Sequence, residues 1–256
     1  MKSLAIVGGA GRMGQALAEG LSALEEFSVV ALIDQHEPRE LFGANYVTSL
    51  AQLDPSTLNV VIDFSSPDGV VASAAWCEAH EVPLVVGATG LGDVERAALV
   101  ATAGKVGVIV ASNFSVGAVL SERFAAMAAP YFERVEIVEL HHDRKVDAPS
   151  GTSIATATAI AEARRHGGLS TLADPTTRLT IDGARGANAA EGIKIHSVRL
   201  PGLVAHQEIL FGSAGEGLTI RHDSFDRQSF VHGVALAAIA IGATPQLLEG
   251  IAALIP

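Results

Sequence analysis

An α/β fold in two parts is what this 256-residue sequence predicts: a Rossmann-type parallel-sheet domain, and a smaller α+β domain with a mostly antiparallel open sheet. Three observations carry the expectation. Over the first hundred or so residues, short β-rich runs alternate with helical patterns, the rhythm of strand–helix–strand units with right-handed crossovers. A Gly-x-Gly-x-x-Gly element, Gly9-Ala10-Gly11-Arg12-Met13-Gly14, directly follows the first run. From Arg134 the texture changes to alternating runs separated by glycine-containing turns.

Taken in order, strands are predicted at Leu4–Val7, Ser28–Ile33, Asn59–Phe64, Leu84–Val86 and Val106–Val110, each rich in β-branched or aliphatic residues. Helices are predicted over Arg12–Leu24, Asp68–His80, Asp93–Ala103 and Val116–Ala128. Val135–Glu139 alternates as a half-buried strand does, and a long helix runs from Ser150 to about His166, where Gly167-Gly168 stops it. Strand-like runs follow at Arg178–Ile181, Ile193–Val198, Val204–Phe211 and Leu218–His222. The turns Pro201-Gly202 and Gly212-Ser213-Ala214-Gly215 make them read as an antiparallel meander. The apolar helical segment Phe230–Ile241 must pack on something, and we expect it to return to the first domain. That gives a dinucleotide-binding domain at 1–115 and 227–256, and a substrate-binding and oligomerisation domain at 116–226.

Composition narrows the function classes. Hydrophobic residues make up 49% and aromatics 5%, so aliphatic side chains build the core. A formal charge of −11 argues against nucleic acid as partner, because phosphate contacts need a surplus of Lys and Arg on one face. Cys77 is the single cysteine, so no intramolecular disulfide forms and a reducing cytoplasm is the expected location. The apolar opening breaks at Gly8-Gly9, too soon for a signal-peptide core, and Gly233–Ala243 is far below a membrane-spanning length, so no membrane partner is expected.

The glycine element is specific because of its context. It follows a strand, opens a helix, and has Asp34 closing the next strand. Gly8, Gly9, Gly11 and Gly14, with Arg12 and Met13, allow a tight turn and close approach of backbone to a pyrophosphate, whose charge meets the helix N-terminus. Asp34 suits the adenosine ribose hydroxyls and repels the extra phosphate of NADPH, so NADH is favoured, while Arg12 leaves NADPH open. Two more loops leave strand carboxyl ends: Gly87-Ala88-Thr89-Gly90, and Ala111-Ser112-Asn113-Phe114-Ser115. We assign Gly87, Thr89, Ser112, Asn113 and Phe114 to the nicotinamide side, with the Phe114 ring able to pack against the cofactor.

The segment Glu139-Leu140-His141-His142-Asp143-Arg144-Lys145-Val146-Asp147-Ala148-Pro149-Ser150-Gly151-Thr152 concentrates proton donors, cations and a hydroxyl-bearing turn ahead of a helix. Adjacent His141 and His142 on an extended strand point to opposite sides and cannot share one metal, so no metal is expected. Ser150, Gly151 and Thr152, with backbone N–H groups exposed at a helix start, form a site for a carboxylate. Together with the glycine element they point to a reductase acting on an acidic small molecule. Arg227 lies where the chain crosses back between domains, a place for a hinge or cleft residue.

Gly8–Gly14, Val61-Ile62-Asp63-Phe64-Ser65, Gly87–Gly90, Asn113-Phe114-Ser115-Val116-Gly117 and the whole His141–Thr152 segment resemble the dihydrodipicolinate reductase family, in order and spacing. The Lys145–Thr152 stretch is the most diagnostic part. Ala88 departs from the pattern, standing where many members carry threonine. The resemblance implies hydride transfer from NADH or NADPH to 4-hydroxy-tetrahydrodipicolinate, giving tetrahydrodipicolinate on the diaminopimelate route to lysine. It implies His141 as proton donor with Lys145 as its partner, and the substrate carboxylates held by His142, Lys145, Ser150, Gly151 and Thr152, with Thr89 and Arg227 also at the substrate. It further implies a homotetramer built through the second-domain sheet. Two other readings stand beside it: another two-domain Rossmann oxidoreductase, and a non-catalytic dinucleotide-sensing module that would need no proton donor.

Overall fold

The computed structural model describes residues 1–256. The chain divides into two compact units, one formed by Met1–Val116 with Arg227–Pro256 and the other by Gly117–Asp226.

In the first unit the strands are β1 (Lys2–Val7), β2 (Phe27–Ile33), β3 (Asn45–Val47), β4 (Val60–Asp63), β5 (Leu84–Val86), β6 (Gly107–Val110) and, from the end of the chain, β12 (Gln246–Glu249). They make one seven-stranded sheet in the order β12-β6-β5-β4-β1-β2-β3, every pair parallel. Parallel strands with helical crossovers are covered on both faces, which is why β4 reads Val-Val-Ile-Asp and is buried at every position. Leu4, Ile6, Leu32, Ile62, Leu84 and Ile109 are all fully buried. Each contributes about 1.5–3 kcal/mol of transfer free energy.

The crossovers are α1 (Arg12–Ser22), α2 (Pro67–His80) and α3 (Asp93–Ala103). Local chemistry starts α2 and α3: Ser66 accepts from the Gly69 N–H with Pro67 in the first turn, and Glu95 accepts from the Gly92 N–H at 2.7 Å. The apolar helix α6 (Val231–Ala240) packs on α1 and β5. Register aligns Ile33 with Val7, Val7 with Asp63, Asp63 with Val86 and Val86 with Val110, so the loops after β1, β2, β4, β5 and β6 emerge along one edge.

The second unit holds nearly all of α4 (Val116–Ala128), then β7 (Arg134–His141), α5 (Gly151–His166), β8 (Ala187–Asn188), β9 (Lys194–Arg199), β10 (Ala205–Ser213) and β11 (Glu216–Ser224). Val135, Ile137, Ile195, Ile209 and Phe211 face a layer made by Ala125, Ala157, Ile160 and Ala161 of the two helices.

Two expectations fail here. The sheet order is β11-β10-β7-β9-β8, with β7 lying between β9 and β10 and parallel to β9, so of the predicted meander only the antiparallel β10–β11 hairpin forms. The Leu200–Val204 turn instead crosses the end of β7, where Leu200 N–H donates to the His141 carbonyl at 3.1 Å. Arg178–Ile181 is no strand: it lies in an irregular stretch, and Leu179 and Ile181 are 48% and 73% exposed, with no neighbouring strand to bury them.

Candidate active site

At the first unit's loop edge, Gly8 adopts φ +82°, and a Cβ there would meet the Phe64 carbonyl at 2.8 Å. Gly14 is tighter still, since a Cβ would lie 2.1 Å from the Gly8 carbonyl oxygen. Both positions require glycine for the turn to close on α1. The first turn of α1 has no acidic side chain, and Gly11 before it makes no side-chain cap, so its positive end faces an anion without competition from carboxylates. Asp34 stands at the mouth of this turn, accepting from Ala10 N–H at 3.0 Å and from His36 N–H at 3.3 Å. Arg12 is exposed. These groups form a cradle suited to a dinucleotide.

The neighbouring loops behave differently from expectation at one place. Phe114 is fully buried, with its ring 5.5 Å from that of Phe64, so it offers a cofactor backbone and no ring face. It packs against the Phe64 ring, which lies so close under Gly87 that a Cβ there would meet it at 2.1 Å. Thr89 and Ser112 are exposed, and Asn113 Oδ1 accepts from Ser115 N–H at 2.9 Å, holding that loop in shape.

In the second unit, β7 delivers His141 as its last residue and α5 begins ten residues later at Gly151. Ser150 caps α5, its hydroxyl accepting from Ser153 N–H at 3.2 Å. Ser150 is nearly buried and its own N–H donates to Glu139 Oε1 at 3.3 Å, so of the three N–H groups expected to be exposed this one is taken. Gly151 is open: a Cβ there would meet nothing within 4 Å. Lys145 donates through Nζ to both carboxylate oxygens of Asp147, at 2.8 Å each, so the expected cation sits in an ion pair. His142 Nδ1 is buried with no hydrogen-bond partner.

Two residues not singled out from the sequence converge on His141. Glu139, with no exposed surface, accepts from His141 Nδ1, and Arg199 of β9 grips the same carboxylate with both guanidinium arms at 2.8 Å. Burial lowers the readiness of His141 to hold a proton; Glu139 opposes this, and the charges of Lys145 and Arg199 reinforce it. Burial pushes the Glu139 carboxyl upward, but hydrogen bonds from Arg199, Ser197 and His141 outweigh it, and the group is held below its ordinary range. Arg199 carries no sequence signal by itself; only the β7–β9 register, which sets it opposite His141, reveals it.

Arg227 is exposed, in a short turn preceding α6. No three His, Cys, Asp or Glu side chains are grouped to hold a metal ion, and no helix is long and apolar enough to cross a membrane.

Residues 2–114 match the family described as dihydrodipicolinate reductase, N-terminus, and residues 117–254 that described as dihydrodipicolinate reductase, C-terminus. The chain belongs to the dihydrodipicolinate reductase family. As a member it is a nicotinamide-nucleotide-dependent oxidoreductase. The 4-hydroxy-tetrahydrodipicolinate reductase of Cutibacterium acnes is 44% identical over 258 residues, spanning 100% of this chain and 99% of that protein. The enzyme of the same name from Nocardia farcinica is 44% identical over 249 residues, 96% of this chain and 95% of its own. Among solved structures, the dipicolinate-bound dihydrodipicolinate reductase from Paenisporosarcina sp. TG-14 is 38% identical with a TM-score of 0.86, covering 99% of each chain. The NAD complex of GenD2, at 18% identity and a TM-score of 0.58, shares the fold alone.

Proposed function

We propose that this member of the family reduces 4-hydroxy-tetrahydrodipicolinate to tetrahydrodipicolinate on the diaminopimelate route to lysine, with NADH favoured over NADPH. The cradle of Gly8, Gly9, Gly11, Arg12, Met13 and Gly14 would hold the pyrophosphate, Asp34 the adenosine ribose, and the Gly87–Thr89 and Ser112–Phe114 loops the nicotinamide end. When bound, the cofactor supplies a hydride. The 4-hydroxyl of the substrate leaves as water to give the conjugated imine, and His141 supplies the proton that must accompany hydride addition to it. Lys145, His142, Ser150, Gly151 and Thr152 hold the carboxylates, with Thr89 and Arg227 completing the substrate's surroundings.

The observation that carries this reading is the clustering of an imidazole, an ammonium and the start of α5 within one short segment of an otherwise acidic chain. A planar dicarboxylate needs concentrated positive charge and N–H donors, and a relative was solved with dipicolinate bound. Loss of the 340 nm absorbance of the reduced cofactor in the presence of dihydrodipicolinate tests it. Turnover is expected, with His141→Gln lowering kcat by roughly a hundred-fold or more, as for a lost general acid. A fully active His141→Gln would remove His141 as the donor, and no turnover with either cofactor would remove the function. A dinucleotide sensor, by contrast, would lose nothing in His141→Gln or Lys145→Ala.

We also propose a cytoplasmic homotetramer joined through the second-unit sheet. Val138, Leu140, Val198 and Leu210 share the sheet face opposite the helix layer, and none of them is fully buried. Light scattering should give a mass four times that of the chain, and a monomer would refute the assembly.

A further inference from the structure

We infer that Glu139 and Arg199 are a positioning pair that sets the His141 ring and ties it to the loop carrying Lys145. This rests on the reading of His141 as proton donor and adds residues to it. Glu139 sits inside β7 with no exposed surface, where an ionised carboxylate is costly unless fully partnered. Its two oxygens take both arms of Arg199, the Ser150 N–H and His141 Nδ1. A salt bridge serving stability alone is readily replaced by apolar side chains. Here the carboxylate is shared with an imidazole, and that sharing has a chemical consequence. With Nδ1–H donated to Glu139, the neutral tautomer is fixed and Nε2 is left bare as the nitrogen that takes up the mobile proton and, once the ring is an imidazolium, delivers it.

Arg199 has a second hold. Its Nη2 donates to the Asp147 carbonyl at 2.7 Å, and the Asp147 carboxylate grips Lys145 Nζ. A continuous chain therefore runs His141–Glu139–Arg199–Asp147–Lys145, joining the end of β7, the end of β9 and the loop before α5. Hydrogen bonds from Arg199, Ser197 and His141 together keep Glu139 ionised, so the carboxylate orients the imidazole without taking its proton, and Ser197 and His141 still hold it when Arg199 is removed. The groups facing His141 are Glu139 on its own strand, Arg199 on β9, and Lys145 and Asp147 on the loop. On β10 the register neighbour is Ala205, which does not titrate.

Nitrogen-15 NMR of the unliganded full chain labelled at histidine reads the tautomer directly. Neutral His141 protonated at Nδ1 is the expected result; protonation at Nε2 overturns the proposal, whatever the activity of any variant. The pH profile of kcat/KM gives the second reading. The high-pH limb marks loss of the His141 proton. Glu139→Gln removes the anion that favours that proton and should move the limb to lower pH, with kcat reduced on the order of ten- to a hundred-fold. Arg199→Gln removes a cation that disfavours it and should move the limb to higher pH. Displacements in one direction for both, or for neither, refute the pairing. Dinucleotide affinity should match the parent chain in both variants. If Arg199→Gln fails to fold, Arg199→Lys keeps the charge without the two-armed grip, and should lose kcat while its limb stays near that of the parent. An unchanged kcat in Arg199→Lys counts against the proposal. If His141→Gln is fully active the donor reading fails, while the tautomer measurement still judges the positioning.

Discussion

At the scale of single residues, the site is defined by which charges already have partners. Lys145 is held by Asp147, whose side chain is largely exposed, and exposed pairs are worth about 0–1 kcal/mol. A dicarboxylate can therefore draw Lys145 away at little cost. We expect Asp147→Asn to leave the melting temperature almost unchanged and to lower KM for the dicarboxylate, since the ammonium loses its competitor; a raised KM would count against this. Lys145→Ala should raise that KM while leaving NADH affinity intact. At the other ligand, Gly14→Ala puts a methyl group where the Gly8 carbonyl stands, so calorimetry should find dinucleotide binding abolished. The His141–Lys145–Ser150 cluster was legible because these residue types stand close along the chain. Glu139 lay within the same stretch but carried no mark distinguishing it from any strand carboxylate.

At the scale of elements, helix starts carry much of the local information. Ser150 caps α5 and shares its hydroxyl with Ser153 Oγ at 2.8 Å, while its N–H meets Glu139. Ser150→Ala should cost about 1 kcal/mol of stability through the lost cap and raise KM for the dicarboxylate, both readable by thermal melting and initial rates. Strands with several consecutive apolar residues, such as β2, β4 and β5, were apparent from composition, and helix α3 matched its predicted bounds. The misses have a common cause. β3 and β12 are three and four residues long and sit at sheet edges, too short to display a period. Arg178–Ile181 displays the period but has no partner strand, and pairing is a property of the sheet.

At the scale of the whole molecule, the ionised carboxylates are unevenly placed. Within Gly117–Asp226 several are held below their usual range. Glu136 and Glu139 are held there against the opposing effect of burial, by arginine and histidine; Asp147 by Lys145; Asp174 by the Thr176 backbone and Lys194; and Asp223 by Arg221. Such groups stay ionised in the folded chain at a pH where the unfolded chain already binds protons. Their stabilisation is present above the ordinary carboxylate value of about 4.5 for Glu and is lost as pH falls through the depressed folded values. Asp63 of β4 and Glu122 of α4 run the other way: burial raises both above their ordinary values, so their ionisation on going to neutral pH opposes folding. Signals from the second unit, for example amide exchange near β7, should therefore weaken before those of the first on acidification. Simultaneous loss, or earlier loss near β4, would contradict this. Glu139→Gln should destabilise the chain at neutral pH by roughly 3–5 kcal/mol, because Arg199 is left without its anion, with a smaller deficit in acid.

The sequence by itself determined the parallel-sheet class, the glycine turn with its acid at the next strand end, and the segment that holds the imidazole and the ammonium. Each is written in spacing and residue type, in runs of consecutive residues or in their repetition along the chain, within the reach of local sterics and periodicity. Only the tertiary structure decided that β7 lies between β9 and β10, that Phe114 turns inward, that Lys145 is paired, and that Arg199 reaches Glu139 from sixty positions away. Those outcomes depend on strand order and register, which are set by how the whole apolar surface is buried at once and leave no trace in any short stretch of chain.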